Sequence, residues 1–130
     1  MNVYFLDAGG AGLYFLVIGL FILFMVLAIL LEAAIMIWMK YNTSLKKTFL
    51  DSLIINIASL AAGFLLLNFF DTLGNYTLSA LAILYAVTVI IETTILQLLN
   101  RKHKLSKTLL VSLLMNLVTY IILYAIAGGK

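Results

Sequence analysis

The chain has no cysteine, no proline, one histidine and one tryptophan, and only 10% of its 130 residues are charged. Without cysteine there is no disulfide, no thiolate metal site and no thiol nucleophile. The sole histidine, His103, stands in the basic stretch NRKHKLSK. Bis-histidine haem and multi-histidine zinc sites therefore lack ligands within this chain. A Ser–His–Asp set would need His103 to meet a hydroxyl at the edge of an apolar segment, and no spacing supports that. The absence of proline leaves helices free to run straight. The stretch GGAG at Gly9–Gly12 has neither the lysine nor the preceding strand of a phosphate-binding loop and reads as a flexible helix start. Neither a cofactor nor a metal is expected.

What fills the chain instead is apolar: 65% of residues are hydrophobic and the mean hydropathy is +1.21, where a soluble domain is about 45–50% apolar and about 25% charged. The composition is that of an integral membrane protein. A spanning helix needs roughly 20 apolar residues, and four stretches qualify, about 12–39, 48–70, 76–99 and 108–126. The segments between them are short, so a single transmembrane domain over 1–130 is expected, with no separate soluble catalytic or nucleic-acid-binding domain. A secretory leader would open with basic residues. MNVYFLDAGGAG carries none, so the first span is expected to be retained.

Basic residues orient the spans. Lys40, Lys46 and Lys47 lie in the first connection and Arg101, Lys102, Lys104 and Lys107 in the third, whereas Asp7 and Asp71 mark the N-terminus and the NFFDTLGNYT connection. Loops 40–47 and 100–107 are expected to be cytoplasmic and both termini extracytoplasmic, in a membrane of the bacterial inner-membrane kind. The net charge of +3 is then topological asymmetry, suited to anionic lipid headgroups; no nucleic-acid partner is expected, because the cations hug span ends instead of forming a stripe on a folded surface. Tyr4, Trp38, Tyr41 and Tyr76 fit an interfacial aromatic belt, and Tyr120 and Tyr124 form a stripe in the last span. The sequons at Asn42 and Asn75 are set aside, the first as cytoplasmic and the second as too close to the bilayer.

Within this apolar text one phrase recurs. LKKTFLDSLIINIAS begins at Leu45 and LSKTLLVSLLMNLVT at Leu105, and the offset of sixty also aligns Glu32 with Glu92 and Ile35 with Ile95. Matching leucines carry little weight here; matching Glu, Lys, Thr, Ser and Asn, the rare letters, carries much. The pattern predicts an all-α four-helix bundle built as a tandem, parallel repeat of two transmembrane hairpins, about 12–70 and 76–126, related by an axis along the membrane normal.

Thr48, Ser52, Asn56 and Ser59 are spaced by four, four and three, as are Thr108, Ser112, Asn116 and Thr119, so each set forms a polar stripe on one face of a helix. Hydroxyl and amide groups without partners in hydrocarbon cost of order one to several kcal/mol each, so both stripes must face the bundle or another protein. Ser59 and Gly63, with Ala58, Ala61 and Ala62 alongside, are expected to let helices approach closely. At about 1.5 Å of rise per residue, Glu32 and Asn56 lie roughly 12 Å inside the basic boundary, and Glu92 and Asn116 at a similar depth. The candidate site is this layer, with each Asn expected to hydrogen-bond the Glu of its own hairpin, and both acids expected to be protonated or partnered near neutral pH. Asp51 is unmatched, since Val111 stands sixty residues on; Lys47 or solvent is its expected partner.

Two uses of the layer follow. A polar clasp would fix helix register or dock another subunit, making the chain a non-enzymatic accessory or structural subunit of a larger membrane assembly, with other membrane proteins or copies of itself as partners. Alternatively the paired acids carry protons or a small cation in a small transporter or channel. The absence of a catalytic set and of exposed domains favours the first.

Overall fold

The computed structural model describes residues 4–69 and 78–126. Expectations resting on Asp71, Asn75 and Tyr76, and on the side chains of Tyr4 and Asp7, lie outside what it describes. The chain forms four helices, α1 (Tyr4–Trp38), α2 (Leu45–Phe69), α3 (Leu78–Leu99) and α4 (Leu105–Ile126). Each is long and apolar enough to cross a membrane. The expected boundaries shift by a few residues except at the start of α1, which takes in Gly9–Gly12 as regular helix where a flexible start was expected. In an apolar segment every backbone group must bond within the helix, and that requirement outweighs the low helix propensity of glycine.

Short turns at 39–44 and 100–104 fold α1 against α2 and α3 against α4. Each helix packs on its two neighbours, α1 on α2 and α4 and α3 on α2 and α4, and diagonally opposed backbones stay apart among the described residues. The first turn is fixed by its own chemistry. Lys40 takes a left-handed conformation, φ 50°, while Tyr41 N donates to Met36 O at 2.8 Å and Lys40 N to Ile37 O at 2.9 Å. That is a Schellman closure of α1. Ser44 then opens α2, its carbonyl accepting from Thr48 N at 3.0 Å and its hydroxyl lying 3.5 Å from Lys47 N, the arrangement of an N-cap.

The interior is more polar than apolar. Among the described residues twelve buried side chains are polar or charged and nine are hydrophobic, while Leu, Ile, Val and Phe face outward along every helix. Water would reverse that distribution; hydrocarbon favours it, since lipid tails are as apolar as leucine and polar groups must find partners inside. The apolar core is small and lies toward the two turns: Met36, Tyr41, Ile55, Leu96, Val111 and Met115, flanked by Ile35, Met39 and Ile95.

Two packing expectations are corrected. Among the described residues nothing lies within 4 Å of where a side chain at Gly63 would stand, so the glycine of the Ser59/Gly63 pair makes no close helix contact; Ser59 itself meets a carboxylate on α3. Tyr41 is buried, 1% exposed, and not part of an interfacial belt. The Schellman turn carries its ring under the bundle end, where its hydroxyl finds Thr108 Oγ1 at 3.1 Å. Trp38, at 77% exposure, keeps the outward position expected of a belt residue.

Candidate functional site

α1 brings Glu32 and α3 brings Glu92 into the bundle, both buried at 2% and 1% exposure. α2 and α4 supply the donors. Asn56 Nδ2 donates both to Glu32 Oε2 and to Ser52 O at 2.9 Å, and Ser52 Oγ reaches Glu32 Oε2 at 2.9 Å and Ile29 O at 3.2 Å. The second hairpin repeats the construction: Asn116 Nδ2 donates to Glu92 Oε2 and to Ser112 O at 3.0 Å, and Ser112 Oγ lies 3.3 Å from Val89 O. A carboxamide has two N–H donors. One turn of helix between Ser and Asn lets the first satisfy the local carbonyl while the second reaches the acid across the helix–helix interface.

The hairpins are also joined to each other. Ser59 Oγ, one turn along α2 from Asn56, donates to Glu92 Oε1 at 3.0 Å, so α2 holds one carboxylate of each hairpin. Thr119, sixty residues on, has a buried Oγ1 without a hydrogen-bond partner among the described residues. Glu32, Glu92, Asn56, Asn116, Ser59 and Thr119 border one open cleft of about 170 Å³, whose lining also includes Tyr120, Thr88 and Phe24. Tyr120 OH pairs with Thr88 Oγ1 at 3.1 Å, and its ring meets Tyr85 edge-on at 5.5 Å; Tyr124 is exposed at 45%. The Tyr120/Tyr124 stripe therefore divides, one ring inside and one out.

The remaining stripe residues lie nearer the turns. Thr48 bonds back within its own helix, Oγ1 donating to Ser44 O at 2.9 Å, and Thr108 Oγ1 donates to Gln97 Oε1 at 2.8 Å while accepting from Tyr41. Asp51 departs from expectation. It does meet Lys47, with Nζ 3.0 Å from both carboxylate oxygens, but it is buried, 2% exposed, and also accepts from Asn42 Nδ2 and Asn100 Nδ2, each at 2.8 Å. One carboxylate thus ties the first turn, α2 and the end of α3 together, and Lys107 Nζ adds a bond to Lys40 O at 3.0 Å. Sequence spacing missed Asn42, Asn100 and Gln97 because their partners are set by tertiary packing at a turn. The available signal was Asp51 itself, the one acid placed among seven cations of the two basic connections.

His103 stacks on Tyr41 with ring centroids 4.3 Å apart. Burial pushes its imidazole below the ordinary histidine range, helped by the positive charges of Lys107, Lys102 and Lys47 and opposed by a backbone hydrogen bond with Tyr41. Burial likewise raises the Tyr41 phenol. Among the described residues no three His, Cys, Asp or Glu side chains converge as a metal-ligand set.

Fold and site define a class: a four-helix bundle of membrane-spanning type with an inward carboxylate–amide layer. Comparison of the chain with protein-family models, with curated proteins and with solved structures yields no match.

Proposed function

We propose that this chain is a non-enzymatic integral membrane module, an accessory or structural subunit that works beside other membrane proteins or further copies of itself, and that its acid layer is a clasp. The observation that carries this reading is the fate of the carboxylates: each is buried, and each accepts from an Asn and from a serine hydroxyl supplied by a packed helix. A layer of that kind specifies helix register at the price of placing acids in hydrocarbon.

The surface supports the same reading. α1 has 35 residues, about 52 Å at 1.5 Å per residue, against a hydrocarbon core of about 30 Å. Every residue from Gly12 to Leu23 is exposed, so the chain's own helices leave this apolar stretch uncovered, and Gly12, Gly19 and Gly63 offer open positions where another helix would approach. Extraction in mild detergent followed by sizing tests the proposal. The chain should travel with other membrane proteins or as an oligomer; a monodisperse single chain would contradict it.

The recurrence of the same bonds at the offset of sixty supports an origin by tandem duplication of one hairpin, residues 12–70 and 76–126. In this reading both basic turns, which meet at one end of the bundle, are cytoplasmic, both termini extracytoplasmic and the host membrane bacterial. Tags at either terminus should be accessible only from outside.

One observation favours a second reading. Both acids border a single cleft, joined by hydroxyl and amide oxygens and by Thr119 Oγ1, which has no partner among the described residues, a donor set suited to protons or a hard monovalent cation. Flux through liposomes holding the purified chain would establish that use.

A further inference from the structure

We propose that the chain carries one built site for an anionic phospholipid, in the groove between the start of α2 and the end of α3. This goes beyond the subunit reading and needs only that the chain lies in a membrane. The groove is open to one side, has a volume of about 360 Å³, and is bordered by Ser44, Lys46, Lys47 and Asp51 at its polar end and by Leu50, Ile54 and Leu99 along its length. The two ends differ in chemistry as the two ends of a lipid do. Lys47 is held in place by Asp51, Nζ 3.0 Å from both carboxylate oxygens, yet its side chain stays 40% exposed. An ammonium has three N–H donors, so one remains for a phosphate oxygen. With Lys46 alongside, the groove keeps a net positive charge after Asp51 is counted. Leu50 and Leu99 are 52% and 39% exposed and lead from the basic mouth into the span, where an acyl chain would run.

The corresponding corner of the second hairpin lacks these features, which makes the site single. Ser106 stands at the position of Lys46, Lys104 at that of Ser44 and Val111 at that of Asp51. Lys107, the counterpart of Lys47, is turned inward, its Nζ on Lys40 O at 3.0 Å and 6.0 Å from the Tyr41 ring centroid. Basic pockets between membrane helices are a recurrent site for phospholipid headgroups, each surface lysine contributing about a fivefold gain in binding.

The test measures thermal stabilisation of the purified chain in neutral detergent on titration with phosphatidylglycerol, phosphatidylcholine or soluble glycerol phosphate, for the wild type, Lys46→Gln and, as a charge-matched control away from the groove, Lys102→Gln. Lys46 makes no internal bond among the described residues, so its loss leaves the Asp51 cluster intact. Saturable stabilisation by phosphatidylglycerol alone, weakened about fivefold in Lys46→Gln and unchanged in Lys102→Gln, is the expected result. Equal stabilisation by phosphatidylcholine, equal stabilisation by glycerol phosphate, or an equal loss in both variants would each overturn the site, pointing respectively to ordinary annular lipid, a headgroup anion without its chains, or diffuse charge.

Discussion

The two hairpins agree at mid-depth and part company at their basic ends. In each, an Asn on the second helix donates at once to the carboxylate of the first helix and to a serine carbonyl one turn back. At the turns, the first hairpin places Asp51 where the second places Val111, and both are buried. Asp51 collects Lys47, Asn42 and Asn100 into a polar knot, whereas Val111 joins the apolar core with Met36 and Met115. The comparison separates two kinds of buried charge. The mid-depth acids share one bond, from the Asn of their own hairpin, and differ in the serine, Ser52 for Glu32 and Ser59 of the other hairpin for Glu92; Asp51 has no counterpart, and at the end where the halves join it serves the fit of one hairpin against the other.

Removing the element that occurs once should cost most. Asp51→Ala strands the amides of Asn42 and Asn100 in a buried site, and we expect a loss of about 3 kcal/mol, seen as a lower unfolding midpoint in detergent. Asn56→Ala and Asn116→Ala should each cost about 1 kcal/mol and by similar amounts, because the two pairs are built alike; unequal losses would break the equivalence of the layers. A finer contrast lies one turn on. Ser59→Ala removes a bond to Glu92 and should destabilise by roughly 0.6 kcal/mol, while Thr119→Val removes a hydroxyl that has no partner among the described residues and should be neutral or slightly stabilising, both read in the same unfolding assay. The smallest effect is that of pH at the turn. His103 is held below its ordinary range by burial, so below about pH 6.5 the unfolded chain takes up a proton that the folded chain refuses. Stability should fall as pH drops through that region, and the His103→Phe variant should lose this component of the pH dependence.

Much of this arrangement was legible in the sequence because the membrane simplifies the code. Four apolar stretches gave four helices, and the few polar letters inside them had nowhere to go but inward, so the spacing of Ser52, Asn56, Glu32 and their later counterparts located the layer. Ser59 crossing to Glu92 was not legible: periodicity places a residue on a face without saying which of two neighbours that face meets. Asp51 was legible in part. Its four-residue spacing pointed to Lys47, which it meets, but not to its burial: the turn brings Asn42 back over it and α3 delivers Asn100, contacts 9 and 49 residues away in sequence. Tyr41 was assigned by composition to an interface and went inside because a Schellman turn re-aims the chain. Gly63, read as a packing contact, has no side chain against it among the described residues, because small residues permit close approach without specifying which helix makes it.

The most direct test is flux of protons and monovalent cations into liposomes holding the purified chain, comparing wild type with the Glu32→Gln, Glu92→Gln double variant after both are shown to be folded. If the layer is a clasp, neither protein passes ions above the level of empty liposomes, since glutamine keeps the length of the acid and one carbonyl oxygen to accept from its Asn partner, and the bundle stays closed. Flux in the wild type that the double variant abolishes would contradict the account and make the paired acids a transport site.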